Sequence, residues 1–226
     1  MVRVEDKYIM PYSEFYELKE RISAVLSADY FSKNGGYKIS SLYFDDLFDT
    51  NYNDTIFGNP FRKKYRVRIY NDSLETIKLE VKTKHYNRIA KESCTISADE
   101  LHRLMNGDLI EWGSSRNDPR SAFNEAICSN GLRPKVIVSY DRTAYVYEQG
   151  NTRITFDSGV RASNLIEDFG NQDLIHDSLV DSNYVLEVKY DEFISDYLLQ
   201  VLEQYSLWKT SFSKYCSCRE VYIGGT

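Results

Sequence analysis

The 226-residue chain contains no apolar run of the roughly 18–20 residues that a membrane-spanning helix requires. It is also poor in soft metal ligands, with only four cysteines and three histidines. The cysteines lack metal-ligand spacing, and the histidines are isolated along the chain. No glycine-rich loop of the Walker type is present to bind nucleotide phosphates. These absences argue against a helical membrane protein, a cysteine-based metal site and a P-loop enzyme.

Positive charge is also scarce, because 28 Lys and Arg stand against 34 Asp and Glu, a net charge of −6. This balance argues against general binding of nucleic acid. The first residues are charged and form no secretory signal, so we expect a cytoplasmic protein with reduced thiols. The sequence has no repeat, low-complexity tract or linker, and we therefore expect one domain over residues 1–226.

Residues 62–91 depart from this acidic background, with ten Lys and Arg against three Asp and Glu. Within this stretch, residues 64–70 and 77–84 alternate charged with apolar side chains. Because strand side chains alternate faces with a period of two, each segment has one charged and one apolar face. A lysine-rich face is commonly a solvated edge that prevents aggregation. Its repetition on several strands of an acidic protein instead favours an anion site.

Further patterns predict the other elements of the fold. The remaining strands are predicted at residues 2–9, 38–44, 89–96, 135–147, 152–157, 184–190 and 219–223. The helices are predicted after Ser13, at the capping box of Ser97 and Glu100, after Asp118, and at about 192–207. Loops are predicted at residues 47–61 and 164–183, and Asp45 is interpreted as a turn cap.

Eight or nine strands with amphipathic helices predict an antiparallel α+β fold. If the helices lie outside on the apolar faces and the sheet closes, the result is an eight-stranded barrel, a tunnel that holds one slender ligand. The side chains that would line this tunnel are Lys7, Arg66, Arg68, Lys82, Arg142 and Lys189, with Glu5, Glu80 and Glu187 as counter-charges. Two like charges about 8 Å apart repel by roughly 2 kcal/mol at an effective dielectric near 20. The lining therefore fits an elongated and densely negative ligand, such as a phosphate chain.

Seven short motifs, each weak alone, occur together in a characteristic order. They are EDKY (5–8), SLYFD (41–45), KYRVR (64–68), LEVK (79–82), SYDR (139–142), LEVK (186–189) and SFSKY (211–215). This ordered set resembles the polyphosphate polymerase domain of the vacuolar transporter chaperone (VTC) complex, over about residues 3–222. That domain is a member of the triphosphate tunnel metalloenzyme, or CYTH-like, superfamily.

The resemblance implies a tunnel in which basic residues hold triphosphate or polyphosphate, with Mg²⁺ or Mn²⁺ as cofactor. Carried over by motif, the catalytic residues would be Lys7, Arg66, Arg68, Lys82, Arg142 and Lys214. Phosphate contacts would also come from Lys91, Tyr140, Lys189 and Ser213. The metal ligand implied is Glu187, with Glu80 and Glu5 as further candidates.

We therefore expect a polyphosphate polymerase that transfers the γ-phosphate of ATP to a growing polyphosphate chain. Arg3 stands where the superfamily has the first of two glutamates around its lysine motif, which disfavours a hydrolase. Two alternatives stay open, a triphosphate or polyphosphate hydrolase and a non-catalytic polyphosphate-binding module. The expected partners are ATP and polyphosphate or triphosphate, without nucleic acid and with a membrane partner allowed.

Overall fold

The computed structural model describes residues 4–86, 88–115, 117–178 and 184–223 as an α+β protein. Its strands are β1 (Val4–Ile9), β2 (Ser27–Ala28), β3 (Tyr37–Asp45), β4 (Phe61–Tyr70), β5 (Ser73–His85), β6 (Arg88–Ile96), β7 (Arg133–Tyr147), β8 (Thr152–Ser163), β9 (Asp177–Ser178) and β10 (Val185–Tyr190). Its α-helices are α1 (Tyr12–Val25), α2 (Thr50–Ile56), α3 (Ala98–Asn106), α4 (Pro119–Asn130), α5 (Asp196–Leu202) and α6 (Lys214–Ile223). None of the described helices has the length and hydropathy needed to cross a membrane.

Local sequence signals fix the two helices that follow β6. Ser97 and Glu100 form the predicted capping box, in which each side chain accepts from the other residue's backbone N–H. Asp118 caps α4 by accepting from the Arg120 N–H, and Gly131 ends it in the left-handed conformation that glycine tolerates best. Both predicted helices are confirmed at these ends.

The hairpin between β4 and β5 turns through Asn71 and Asp72, whose φ angles are 51° and 54°. Two consecutive left-handed residues match the right-handed twist of a two-residue hairpin, and Asn and Asp tolerate this conformation best after glycine. This turn therefore places the two basic strands side by side.

The chain forms two compact units, each assembled from alternating stretches of sequence. Unit 1 is Met1–Lys38, Tyr140–Val160 and Ser178–Phe212, whereas unit 2 is Ile39–Ser139, Arg161–Asp177 and Ser213–Thr226. The strands β7 and β8 contribute residues to both. The single domain expected over residues 1–226 stays a prediction, since neither unit is a continuous segment.

The antiparallel sheet order is β1-β10-β8-β7 in unit 1 and β7-β3-β4-β5-β6 in unit 2. Among the described residues, β1 pairs with β10 and β6 with β5, and each lies at an end of its order. The predicted closed eight-stranded barrel is therefore wrong, and the sheet has open edges. Side-chain alternation tells which face of a strand is apolar, but it does not tell whether two edge strands bond to each other.

Helices cover the apolar face of each unit, as predicted. In unit 1, α1 and α5 place Phe15 and Leu198 against Phe156 and Leu186 of the sheet. In unit 2, α3 and α4 contribute to a second buried cluster whose strand residues include Leu42, Val67, Leu79 and Val81. The charged faces of the strands are consequently turned away from both hydrophobic cores.

Several predicted elements differ in the structure. The expected loop at 47–61 contains α2, and the expected strand at 219–223 is the end of α6. Two helices have other bounds than predicted: α5 is shorter, and α1 begins at Tyr12 after Pro11 rather than after Ser13. Short helices have weak periodicity of their own, and tertiary contacts decide them.

Candidate functional site

The charged faces of β4, β5 and β6 form rows across unit 2, because the antiparallel register sets residues directly opposite one another. Arg66 lies opposite Glu80, and Arg68 lies opposite Lys78. The alternate side chains in the central parts of β4 and β5 are buried on the other face. These buried residues are Tyr65, Val67, Ile69, Ile77, Leu79 and Val81. The predicted two-faced strands are confirmed.

Glu80 is the acidic centre of this face and is only 3% exposed. One carboxylate oxygen accepts from Arg66 Nε at 2.6 Å, and the other lies 2.5 Å from Lys91 Nζ. Burial opposes ionisation of Glu80, but the charges of Arg66, Arg68 and Lys91 outweigh it and lower the pKa to about 2. Glu80 is therefore an anion near neutral pH and fixes the positions of two cations.

This ion-pair arrangement predicts the acid stability of the protein. The folded-state pKa of Glu80 lies below its ordinary value of 4.5, so its stabilisation is complete above pH 4.5 and is lost as pH falls towards 2. The full contribution is about 3 kcal/mol. We expect Glu80→Gln to lower the free energy of unfolding at pH 7 by a similar amount and to flatten its pH dependence below 4.5, measured by urea denaturation. Exposed Glu75, replaced by Gln, is the control, and an unchanged pH profile in Glu80→Gln would contradict the prediction.

Tyr43 of β3 supports Arg66 from the neighbouring strand. Arg66 Nη1 donates to the Tyr43 hydroxyl at 2.9 Å, and its guanidinium lies 5.8 Å from the centre of the ring. Burial raises the pKa of Tyr43, but the charges of Arg66, Arg68 and Lys64 outweigh burial and lower it to about 8. The same three charges would give a bound anion a positive potential here.

Arg68 is 7% exposed, and its Nε donates to Ser41 Oγ at 3.1 Å. A buried guanidinium needs hydrogen-bond acceptors, and its planar fork matches the oxygens of a phosphate. We name Tyr43, Arg66, Arg68, Glu80 and Lys91 the Arg66 cluster. Three of its members are cations and one is an acidic residue, so the cluster is electrically suited to an anion.

The start of α6 lies beside this cluster. Lys64 Nζ donates to Ser213 Oγ at 2.8 Å, which ties the residue preceding α6 to β4. Tyr215 stacks on Tyr43, with ring centres 5.0 Å apart and planes inclined by 23°. These contacts place Ser213 and Lys214, predicted only through the family resemblance, next to the strands that carry the arginines.

Unit 1 contains a second charged cluster around Arg142 of β7. Its Nε and Nη2 donate to the two carboxylate oxygens of Asp157, both at 2.7 Å, and Nη2 lies 3.6 Å from Glu187. The guanidinium also lies 5.3 Å from the centre of the Tyr140 ring. Burial would lower the pKa of Arg142, but Asp157, Tyr140 and Glu187 raise it well above its ordinary value. Arg142 is therefore a fixed cation.

Lysines and glutamates alternate across β1 and β10 of the same unit. The register sets Glu5 opposite Lys189 and Lys7 opposite Glu187. Lys189 Nζ lies 2.8 Å from Glu187 and 3.7 Å from Glu5, and Lys7 Nζ lies 3.2 Å from Glu5. Every predicted cation of unit 1 thus lies beside a carboxylate. We name these residues the Arg142 cluster: Arg142, Tyr140, Asp157, Lys7, Lys189, Glu5 and Glu187.

These carboxylates are the candidate metal ligands of unit 1. The described residues contain no group of three or more His, Cys, Asp or Glu arranged to hold a metal. Glu5 and Glu187, however, both approach the single ammonium of Lys189. Magnesium commonly takes one or two protein carboxylates and fills its other positions with water and phosphate oxygens. Glu5 and Glu187 fit that pattern because two carboxylates converge on one point, whereas Glu80 is a single carboxylate between Arg66 and Lys91.

The predicted site residues therefore divide between the two units. Unit 1 holds Lys7, Tyr140, Arg142, Lys189, Glu5 and Glu187, and unit 2 holds Arg66, Arg68, Lys82, Lys91, Ser213, Lys214 and Glu80. Arg3, which was used to disfavour a hydrolase, lies outside the described residues. Two partners were missed, Tyr43 and Asp157. Tyr43 lies in the motif at 41–45, two residues after Ser41 and therefore on the same face of the strand, so the sequence contained a signal for it. Asp157 could be identified only from the strand pairing.

The chain is similar to a known protein family and to solved structures. The family model described as the VTC domain matches residues 2–223. Among solved structures, a Bacillus halodurans protein provisionally named an adenylate cyclase is similar with a TM-score of 0.55 and 15% identity, over 93% of this chain and 94% of that chain. The PH1819 protein from Pyrococcus horikoshii has a TM-score of 0.49 and 13% identity, over 94% of this chain and 96% of its own.

The similarity to the Bacillus halodurans protein, at this identity, shows a common fold and nothing about activity. A search of curated proteins finds no match. The family model covers nearly the entire chain. The protein therefore belongs to the VTC domain family, the family indicated by its ordered motifs.

Proposed function

We propose that this protein is a phosphotransferase that transfers the γ-phosphate of ATP to a growing polyphosphate chain. The observation that carries the proposal is the Arg66 cluster, in which Arg66, Arg68 and Lys91 surround the single carboxylate of Glu80. Membership of the VTC domain family supports a phosphate chain as the substrate class. A cytoplasmic location remains part of the proposal.

The chemistry needs no protein nucleophile. Phosphoryl transfer depends mainly on alignment of the reacting phosphates and on neutralisation of their charge. Arg66 and Arg68 would donate bidentate hydrogen bonds from their planar guanidinium groups to phosphate oxygens. Lys82, Lys91 and Lys214 would supply point charges. Ser213 would assist as a hydrogen-bond donor. In this proposal the terminal phosphate of a bound chain is itself the nucleophile, and ADP leaves.

The Arg142 cluster would bind phosphate through the side chains of unit 1. Arg142 is fixed by Asp157 and stays charged, while Lys7 and Lys189 lie beside carboxylates that keep them in place. Glu5 and Glu187 would hold Mg²⁺ or Mn²⁺. When bound, this ion would neutralise charge on the phosphate oxygens. Lys189, which lies beside both carboxylates, would then supply its charge to the phosphate.

Incubation with ATP and Mn²⁺ tests the proposal. A ladder of long phosphate chains on a gel is the expected result, and it should depend on the metal. Release of free phosphate without chains would indicate the hydrolase instead, and tight binding without either product would indicate the binding module. Either of these two outcomes would overturn the polymerase.

The metal ligands can be tested in the same assay. We expect Glu5→Gln and Glu187→Gln each to lower chain synthesis by at least about tenfold, with partial recovery at high Mn²⁺, because each removes one carboxylate ligand. The control is Glu17→Gln, which removes an exposed carboxylate of unit 1 paired with Arg21. Full synthesis by both site variants would show that the ion is held elsewhere.

A further inference from the structure

Three strands of unit 2 continue beyond the part of the sheet that β3 covers. The register of β3 with β4 ends where Phe44 lies opposite Tyr65. The pairing of β4, β5 and β6 continues past this point to the ends of the strands. We call residues 61–64, 82–85 and 88–91 the basic arm. None of its residues is buried, so the arm has no hydrophobic core of its own.

The basic arm contains seven Lys and Arg and no Asp or Glu. The register distributes these charges unequally between its two faces. One face carries Arg62 opposite Lys84, followed by Lys64 opposite Lys82, which in turn lies opposite Lys91. The other face carries the remaining two cations, Lys63 and Arg88, together with Phe61, Thr83, His85 and Ala90.

Five cations on one face of this ribbon are unfavourable by themselves, because like charges placed directly opposite across strands repel. Protection of a sheet edge from aggregation does not explain them. That role needs charges on strands with an open side, which in the arm are β4 and β6, and it leaves Lys82 and Lys84 unexplained, because they lie on β5, which is paired on both sides. An anionic ligand along this face would relieve the repulsion.

We propose that the part of this face beyond the Arg66 cluster, formed by Arg62, Lys64, Lys82 and Lys84, binds the part of a linear polyphosphate that extends from that cluster, with Lys91 common to both. The cationic rows repeat every second residue, and the distance along β4 from Arg68 to Arg62 is about 20 Å. A long polyanion can contact every row, whereas a triphosphate spans only a fraction of that distance. The inference rests on the proposed function for its ligand class and adds selection for chain length.

We call this cationic face of the basic arm the outer track, and two contacts connect it to the Arg66 cluster. Lys91 pairs with Glu80, which also binds Arg66, and Lys64 donates to Ser213 at the start of α6. Arg62 is positioned by its own hydrogen bond to the Asn59 carbonyl oxygen at 2.8 Å. The cationic face is therefore continuous with the cluster, and its outermost arginine is held in a defined place.

Binding of two ligands to two matched variants tests the outer track. The test variant is Arg62→Gln with Lys84→Gln, and the control is Lys63→Gln with Arg88→Gln, which removes the same charge from the opposite face of the same arm. Long-chain polyphosphate and inorganic triphosphate are titrated into each by calorimetry. The test variant should bind long-chain polyphosphate at least about tenfold more weakly, since two charge-assisted contacts are lost. Triphosphate affinity should change by less than about twofold, and the control should resemble the native protein with both ligands.

Salt dependence provides a second measurement. The slope of log affinity against log salt for long-chain polyphosphate should fall by about one to two in the test variant only. If both variants bind long-chain polyphosphate equally weakly, the overall positive charge of the arm and not one face of it attracts the ligand. If the test variant loses as much affinity for triphosphate as for long chains, Arg62 and Lys84 belong to the triphosphate site. No weakening at all, or preferential binding of a single-stranded oligodeoxynucleotide of equal charge, would also overturn the inference.

These results are separable from the proposed function. If the native protein binds long-chain polyphosphate through the arm but makes no chains from ATP, the polymerase fails and the track stands. If chains are made and the test variant makes and binds them as well as the native protein does, the polymerase stands and the track fails.

Discussion

Replacing Arg66 and Arg68 together by alanine is expected to abolish the rise in melting temperature that triphosphate produces in the native protein. A ligand at 100 times its Kd stabilises the folded state by about 2.7 kcal/mol, or roughly 5–10 °C for a chain of this size. Loss of two charge-assisted arginine contacts lowers the binding free energy of triphosphate by about 3 kcal/mol or more, which is at least about a hundredfold in affinity. At the same triphosphate concentration, only a few tenths of a kcal/mol would then remain.

The matched control is Arg103→Ala with Arg120→Ala, two arginines of the same unit that lie on α3 and α4. Arg120 pairs with Glu100, away from the Arg66 cluster. The control keeps the net charge equal to that of the test variant, so it separates the site from the overall field. The melting temperature without ligand is measured for both, since Glu80 loses one of its two ion-pair partners in the test variant. An undiminished shift in the Arg66 and Arg68 variant would show that phosphate binds elsewhere.

Asp45 is the second position where a large effect is expected. It is fully buried and accepts from the backbone N–H groups of Asp46, Asn51 and Tyr52, all at 2.9 Å. It also accepts from the Asn51 side-chain amide at 2.9 Å and from the Tyr215 hydroxyl at 2.6 Å. Burial and the Asp45 charge raise the pKa of Tyr215, so this hydroxyl stays protonated and donates. One carboxylate therefore fixes the start of α2 and the start of α6.

We expect Asp45→Ala to lower the free energy of unfolding by about 3–5 kcal/mol, because five buried donors lose their acceptor. Tyr215→Phe, which removes one of these bonds, should cost about 1–2 kcal/mol. Asp54→Ala is the control, since Asp54 accepts a single side-chain bond from Asn59 and should cost less than about 1 kcal/mol. Denaturant midpoints give all three values. A loss below 1 kcal/mol for Asp45→Ala would show that its hydrogen bonds are replaced by water.

Much of unit 2 could be predicted from the sequence because its signals are local. The alternation in residues 64–70 and 77–84 sets the faces of β4 and β5, and Asn71 with Asp72 sets their turn. The capping box after Ser97 likewise depends on neighbours in the chain. By contrast, α2 and α6 were not predicted. Both begin next to Asp45, and the contact that stabilises α6 joins residues far apart in sequence.

The amino-acid order by itself determined which side chains face away from the core and that these are mostly basic, because strand geometry converts a two-residue period into two faces. It also determined the family, through motifs in a fixed order. Only the tertiary structure decided that the sheet is open rather than closed, and that Glu80 neutralises part of the charge of Arg66 and Lys91. Strand pairing and ion pairing depend on register between segments distant in the chain, and no local pattern encodes that register.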